Sequence, residues 1–406
     1  IHPSTSSGRT EKSLMYKYKL IMKNLNGVAM KAGWEVKRFE EVLEIKNGRN
    51  QKAVQKENGQ YPIYGSAGNV MGWTDDYICE SGTTIVGRKG NINSPIYAET
   101  KFWNVDTAFG LSPKELLNSK FLNYFCISYD FSEHNKGTTI PSLVKSDLLQ
   151  ISIPVPPLPE QQRIVAILDA AFASIATAKA NTEQNLKNAR ALFDSYLHEV
   201  FNQRGDGWVD NKKQLADLCE LIVDCEHKTA PKQEDGIPSI RTPNIGKGKL
   251  LLDGVYRVSE ETYKDWTRRA EPKAGDLILA REAPAGNVAV IPENIKVCLG
   301  QRTVLIRPKA NIFESEFLSF LLLCPDMREK LLAHSRGATV QHVNMKDIRA
   351  LNVGAIPPIE IQKFIVSKLN TIIEETQRLE TIYQRKLTAL NELKKALLHQ
   401  AFAGEL

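Results

Sequence analysis

The sequence predicts an α+β protein: two globular domains separated by two long helices that pack as an antiparallel coiled coil, with a pseudo-twofold internal repeat. Three observations carry this. From Pro154 the chain reads Pro-Val-Pro-Pro-Leu-Pro-Glu-Gln-Gln and then runs about 45 residues without Pro or Gly, several times the mean helix of ~11–12 residues. The same arrangement returns at Ile356-Pro-Pro-Ile-Glu-Ile-Gln and runs to the last residue. Ahead of each copy lie short apolar segments broken by Gly, the pattern of strands joined by tight turns.

At 406 residues the chain is long enough for two domains with separate cores. Hydrophobic content of 42% and charged content of 25% are ordinary for a soluble protein. No window approaches 18 consecutive apolar residues, so no membrane segment and a cytoplasmic location are expected. The six cysteines include no CxxC pair and join no His cluster, which predicts reduced structural thiols and no metal site. A net charge of +6 permits nucleic-acid binding without requiring it.

Residues 1–30 open with Ile1-His-Pro-Ser-Thr-Ser-Ser-Gly-Arg and show no apolar face; they read as a polar tail or a cloning remnant. The first domain is placed at 31–153. Val42, Leu43 and Ile45 suggest a short strand or helix before Asn47-Gly48. Tyr61-Pro-Ile-Tyr-Gly and Gly82-Thr-Thr-Ile-Val-Gly-Arg read as strands and turns. Leu117, Phe121, Leu122 and Phe125 have helical spacing within 116–129, and a strand is expected over Leu149–Val155. The second domain, 205–353, repeats landmarks: Gly207-Trp208 after Gly33-Trp34, Arg281 after Arg88, and His334-Ser-Arg-Gly-Ala-Thr after His134-Asn-Lys-Gly-Thr-Thr. Ile237-Pro-Ser-Ile-Arg-Thr-Pro has no evident counterpart.

The helical spacers are placed at 154–204 and 354–406. Pro157/Pro357, Glu160/Glu360 and Gln162/Gln362 lie 200 apart, whereas Leu168/Leu369, Leu192/Leu393, Leu197/Leu398 and Phe201/Phe402 lie 201 apart. One extra residue near Lys363 would account for the step. Steps alternating three and four give one seam through Leu168, Ile175, Asn185 and Leu192, and a matching one through Leu369, Leu379, Lys386, Leu393 and Leu397. The first is rich in small residues and the second in large ones, which suits close packing of one helix on the other, each ~65 Å long. Asn185 and Lys386 break the seams at equivalent places, either as register devices or as residues escaping to solvent.

Several enzyme signatures are missing: GxxxxGK(S/T), GxGxxG at a strand–helix turn, Asp/Asn-Pro-Pro-aromatic, HExxH and GxSxG. His134 and His334 recur but sit beside Lys136-Gly and Arg336-Gly, where structure or phosphate contact suits them better than catalysis. No catalytic residue, metal or cofactor is expected in this chain.

Pro156-Pro-Leu-Pro-Glu-Gln-Gln-Arg-Ile-Val-Ala-Ile-Leu-Asp, the closing Leu397-Leu-His-Gln-Ala-Phe-Ala-Gly-Glu-Leu and the order domain, helix, domain, helix together resemble the specificity subunit of type I restriction-modification systems. The resemblance covers 33–406; the second copy departs by placing Ile356 where the first has Pro. It implies a non-catalytic subunit with two target recognition domains, each reading half of a split, asymmetric site on double-stranded DNA. It also implies helices that space the half-sites and dock two methyltransferase subunits, which bring S-adenosylmethionine, and restriction subunits, which add ATP-driven translocation and cleavage. A protein-interaction scaffold with no DNA role is the alternative.

Base and phosphate contacts need paired donors and acceptors on loops. The first domain offers Ser66, Arg88, Lys89, Asn91, Lys136, Thr138, Thr139 and Ser142. The second offers Arg241, Arg281, Asn287, Arg302, Arg336, Thr339, Gln341 and Asn344. The strongest candidates are the Lys136 and Arg336 loops, where both halves keep a basic residue, Gly and Thr.

Overall fold

The computed structural model describes residues 31–333 and 341–406; the expectation for 1–30 lies outside them. The chain divides into two units. One runs through Thr182 and takes in Arg385–Leu406; the other is Glu183–Gln384. Each therefore holds a strand-rich domain, part of the helix that follows it and part of the other long helix.

In the first unit, β1 (Glu35–Arg38) leads through α1 (Phe39–Val42) into β2 (Leu43–Asn47), followed by β3 (Tyr61–Tyr64), β4 (Val70–Thr74), β5 (Thr83–Gly87), β6 (Ile96–Ala98), β7 (Trp103–Asn104) and β8 (Ala108–Pro113). Next come α2 (Ser119–Ser128), α3 (Lys145–Leu149), β9 (Ser152–Val155) and the long α4 (Leu158–Asn202). An antiparallel sheet has the order β2-β8-β5-β6; a second has the order β4-β3-β7, with β7 parallel to β3. The helix expected over 116–129 starts later because the Asn118 side chain accepts from the Phe121 N–H at 3.1 Å and caps it. Leu149 closes α3, so the strand expected from it begins only at Ser152. The core gathers Phe39, Phe121, Phe125 and Phe131 with Phe402; Phe402 meets Phe121 and Phe125 edge to face at 5.1 and 5.5 Å.

The second unit uses α5 (Leu215–Leu218), β10 (Cys219–Asp224), β11 (Ile237–Ile240), β12 (Arg257–Val258), α6 (Glu260–Trp266), β13 (Leu277–Ala280), β14 (Val288–Val290), β15 (Cys298–Leu299) and β16 (Thr303–Pro308). It continues with α7 (Ser315–Leu323), α8 (Pro325–Leu332), α9 (Met345–Ala350) and α10 (Ile359–Ala403). Its sheets, β10-β16-β13-β14 and β12-β11-β15, repeat the orders of the first unit. This corrects the expectation that Ile237-Pro-Ser-Ile has no counterpart: β11 pairs antiparallel with β12 and parallel with β15, as β3 does with β4 and β7. The likeness is hidden because the offset grows from 176 at Pro62/Pro238 to 193 at Arg88/Arg281, the added length including α6. Gly33 and Gly207 both open their domains at φ +84° and +85°, a conformation suited to Gly before the shared Trp.

A buried glutamine ties each domain to its spacer. Gln161 accepts from the Asn118 N–H at 2.7 Å and donates to the carbonyls of Leu116 (2.9 Å) and Pro156 (2.8 Å). Gln362 accepts from the Glu314 N–H and donates to Ile312 and Pro357, all at 2.8 Å. Both are 0% exposed. The match is therefore Gln161/Gln362, already 201 apart, and not Gln162/Gln362. The extra residue lies between the buried pair Leu148/Ile348 and the prolines, not near Lys363. About two turns on, the chemistry diverges. Lys120 of α2 donates to Asp169 of α4 at 2.8 Å, alongside Tyr124, whereas Asn370 of α10 donates to Glu316 of α7 at 2.7 Å.

Within each unit the two long helices run antiparallel. In the first, Ile164, Val165 and Leu168 share a core with Leu398, Ala401 and Phe402, and Arg163 donates to the Leu406 carbonyl at 2.6 Å. In the second, Phe193, Leu197 and Phe201 meet Val366 and Leu369, and Arg190 pairs with Glu380 at 3.2 Å. The seam departs from the sequence expectation halfway along. Leu168, Ile175, Leu369, Leu379 and Leu397 are buried or half-buried, but Asn185, Leu192, Lys386 and Leu393 are exposed, both leucines at 47%. Leu186, Phe193, Leu387 and Lys394 take the inward places. A strict 3.5-residue pattern drifts ~20° per heptad against a 3.6-residue helix, so a seam that starts correctly at Leu168 is one residue out by Asn185. With Phe193 in place, the small-residue character of the first seam is confined to its middle. Asn185→Leu is accordingly expected to change stability by less than ~0.5 kcal/mol, as thermal denaturation would show.

By length and mean hydropathy, α4 is the one described helix apolar enough to cross a bilayer, although it holds no run of 18 consecutive apolar residues. Its Ile164, Val165 and Leu168 are committed to the protein core, and Asp169 sits within the same stretch.

Candidate nucleic-acid interface

In the first unit three loops meet at the end of β5. The turn after it carries Arg88, Lys89 and Asn91. A side chain at Gly87 would fall 1.9 Å from the Asn91 carbonyl oxygen and 3.0 Å from that of Ser66, so Gly here lets the Ser66 turn close in. The third loop, 135–142, is folded by Asn135: its Oδ1 accepts from the N–H groups of Gly137 (2.9 Å) and Ser142 (2.8 Å), and its Nδ2 donates to the Gly137 carbonyl (3.0 Å). The loop is pinned to the β5 turn by Gly90 N–H to Pro141 O at 2.9 Å and Leu143 N–H to Arg88 O at 2.8 Å.

The eight candidates Ser66, Arg88, Lys89, Asn91, Lys136, Thr138, Thr139 and Ser142 all lie on these tied loops. Thr138 and Thr139 are exposed at the tip, with Ile140 61% exposed beside them. Lys136 is 64% exposed and reaches Asp147 at 3.3 Å, a contact worth ~0–1 kcal/mol that a phosphate can replace. Arg88 is more committed: it donates to the Asp106 carbonyl at 3.2 Å. His134 bonds Tyr129 Oη at 2.7 Å and stacks on that ring, a structural use. Asn135, which shapes the loop, was not singled out from sequence; an Asn two residues before a Gly is a recognisable turn signal.

In the second unit the equivalent frame recurs: the Val343 N–H donates to Arg281 O at 2.9 Å, as Leu143 does to Arg88. Its polar content differs. Arg281 donates to Val343 O and to His342 Nε2, both at 2.9 Å. That leaves the imidazole proton on Nδ1, facing Glu282 at 3.1 Å. Glu282 also pairs with Arg302 at 2.5 Å. Arg281 and Asn287, which donates to Ile245 O at 3.0 Å, thus have part of their hydrogen-bonding capacity engaged within the fold. Arg302, 59% exposed, and Gln341, exposed, remain outward, and Asn344 bonds Asp347 at 3.1 Å. Arg336 and Thr339 lie outside the described residues, as does His334. Glu282 and His342 carried no sequence signal, because their role exists only once two distant loops meet.

Arg241 lies against a different group. Its guanidinium and the Lys232 ammonium sit 4.0 and 3.6 Å from the centroid of the Tyr256 ring. Lys232 first, and then Arg241, holds the Tyr256 hydroxyl below the usual tyrosine range. The cysteines are all buried and free, with burial pushing Cys79, Cys219 and Cys298 up to about 12. Among the described residues no group of three or more His, Cys, Asp or Glu is placed to hold a metal.

Residues 31–188 and 206–388 each match the family described as type I restriction modification DNA specificity domain. The type I restriction enzyme EcoBI specificity subunit of Escherichia coli is 24% identical over 348 residues, 79% of this chain and 73% of that one. The MjaVIII specificity subunit of Methanocaldococcus jannaschii is 21% identical over 412 residues, 95% of both. Among solved structures, a chain from a study of complex assembly and conformational transition of the type I R-M system aligns with TM-score 0.72 at 20% identity, covering 93% of this chain and all of that one. The HsdS subunit from Thermoanaerobacter tengcongensis aligns at 0.59 and 20%, covering 94% and 99%.

Proposed function

Because this chain belongs to the type I restriction-modification DNA specificity family, we propose that it reads a bipartite, asymmetric DNA site, one half through each domain. The observation that carries the reading is the 135–142 loop. It presents Lys136, Thr138 and Thr139 on a backbone already held by Asn135 and fixed to the Arg88–Asn91 turn. Preorganised donors of this kind suit DNA, with lysine on phosphate and hydroxyls at base edges or phosphates.

The chain is a specificity subunit and supplies no catalysis of its own. Adenine methylation from S-adenosylmethionine, and ATP-driven cleavage, belong to partner modification and restriction subunits. Their docking is supported by apolar residues that the helices leave outward: Ile167 (36% exposed), Leu192 (47%), Phe364 (63%), Ile382 (46%) and Leu393 (47%). Two of these, Leu192 and Leu393, are the leucines that the strict heptad would have buried.

Lys136→Ala and Arg336→Ala are each expected to weaken binding of the full chain to duplex DNA by about fivefold to tenfold. Hydroxyl-radical footprinting should place the two losses in different half-sites. Losses in the same half would reject one-domain-per-half reading. Binding that is insensitive to salt would reject DNA binding through phosphates altogether.

A further inference from the structure

We propose that Lys232, Arg241 and Tyr256 form a seat for one DNA backbone phosphate, contacting the duplex without reading its bases. The inference rests on the DNA-binding function proposed above and adds Lys232 and Tyr256, on segments that the reading loops do not include.

Four observations converge. First, two cations are held within 4.0 Å of one ring centroid, and no carboxylate pairs with either among the described residues. Two positive charges on one ring raise the local potential for an anion, and a phosphate oxygen makes charge-assisted contacts of ~2.7–2.9 Å with donors of this kind. Second, Arg241 is pre-positioned. A side chain at position 300 would fall 2.4 Å from its Cγ, so Gly300 lets the arginine stem lie flat on the backbone, while the Tyr256 ring covers the guanidinium. Third, the Arg241 Nε is buried without a hydrogen-bond acceptor, an unmet donor on the guanidinium at this place. Fourth, a cavity of about 60 Å³ opens here, lined also by Thr229, Ser239 and Gln301. Gln301 precedes Arg302, so the seat adjoins the reading cluster in sequence and within the same unit.

The site has no base-reading geometry. Arg241 is stacked and cannot swing to a groove edge without losing Tyr256, and Lys232 is a point charge. It should therefore add affinity equally on all sequences.

The test uses the full chain, the cognate duplex and a scrambled duplex, titrated by fluorescence anisotropy at several salt concentrations. Lys232 is exposed, so Lys232→Gln leaves the fold intact. The variant is expected to bind both duplexes about fivefold to tenfold more weakly, and its salt slope should be shallower by ~0.9. A duplex bearing one uncharged methylphosphonate, moved stepwise along the backbone, should include one position at which wild-type binding weakens clearly more than that of Lys232→Gln. A loss confined to the cognate duplex would make Lys232 a base reader and overturn the proposal, as would unchanged affinity and slope. If inorganic phosphate raises the Tm of the wild type but not of the variant, while DNA binding is equal, the seat serves a free anion and the DNA assignment is wrong. Absence of salt-dependent DNA binding by the wild type would instead bring down the functional reading, and this inference with it.

Discussion

Asp276→Ala is expected to destabilise the second domain by about 3–5 kcal/mol, the usual cost of removing one partner of a buried ion pair. Asp276 is 2% exposed and holds Arg307 through two bonds, Nε to Oδ1 and Nη2 to Oδ2, both 2.7 Å. It also accepts from the Lys273 N–H at 2.8 Å. Truncation leaves a guanidinium whose ionised form Asp276 had favoured, with only the Glu271 carbonyl, at 2.9 Å, still accepting from it. The first domain solves the same place differently. By strand register Asp276 and Arg307 correspond to Thr83 and Ser112, whose hydroxyls meet at 2.9 Å. The double variant Asp276→Thr, Arg307→Ser should therefore recover at least half of the loss, because no charge is left behind. Urea unfolding followed by hydrogen exchange on β13 and β16 would measure both. A double variant as unstable as the sum of its single changes would refute the account.

Gln161→Glu and Gln362→Glu should each cost about 3 kcal/mol or more, although they change only an amide to a carboxyl. A carboxylate can still accept from the N–H of Asn118 or Glu314, but it cannot donate to the two carbonyls that each glutamine satisfies. At a site with 0% exposure the new acid would be held above its ordinary ~4.3 by burial. The sign follows from linkage. A carboxyl with a raised folded pKa contributes most below its unfolded value and loses that contribution as pH rises through the folded one. The variants should thus be least stable near pH 8 and regain stability toward pH 5, relative to wild type. A pH-independent deficit would show that the lost donors alone matter and that the introduced acid stays neutral across the range.

The residues that made the fold legible are those whose patterns are local. A proline cluster before a long breaker-free run is enough for α4 and α10, and Gly33-Trp34 with Gly207-Trp208 marks two domain starts. What escaped depends on distance or on geometry. The β3/β11 correspondence was lost because inserts of unequal length shifted the offset between halves. The seam slipped at Asn185 because a heptad count accumulates error that the helix does not. For the site, the loops were visible as polar Gly-Thr segments, but which side chains stay free was not. Arg281 and Asn287 look like readers in sequence, yet they are partly occupied by Val343, His342 and Ile245, which only the folded sheet brings near. Asn135 and Gln161 were overlooked for the opposite reason: an uncharged side chain that organises backbone leaves no trace in charge or hydropathy.

The unlike pairs beneath the two matched glutamines bear on how the chain folds. Two copies of one architecture in a single polypeptide compete for each other's parts, and exchange of equivalent elements is a standing misassembly route. Here the wrong exchange is penalised at the first contact. If α7 docked on α4, Glu316 would face Asp169, two carboxylates where the correct partners are Lys120 and Tyr124. If α2 docked on α10, Lys120 would meet Asn370 and lose its counter-ion. The glutamine is common to both halves and tells them apart no better than a blank key. The charges about two turns further on are the cut teeth, and they favour each domain on its own helix.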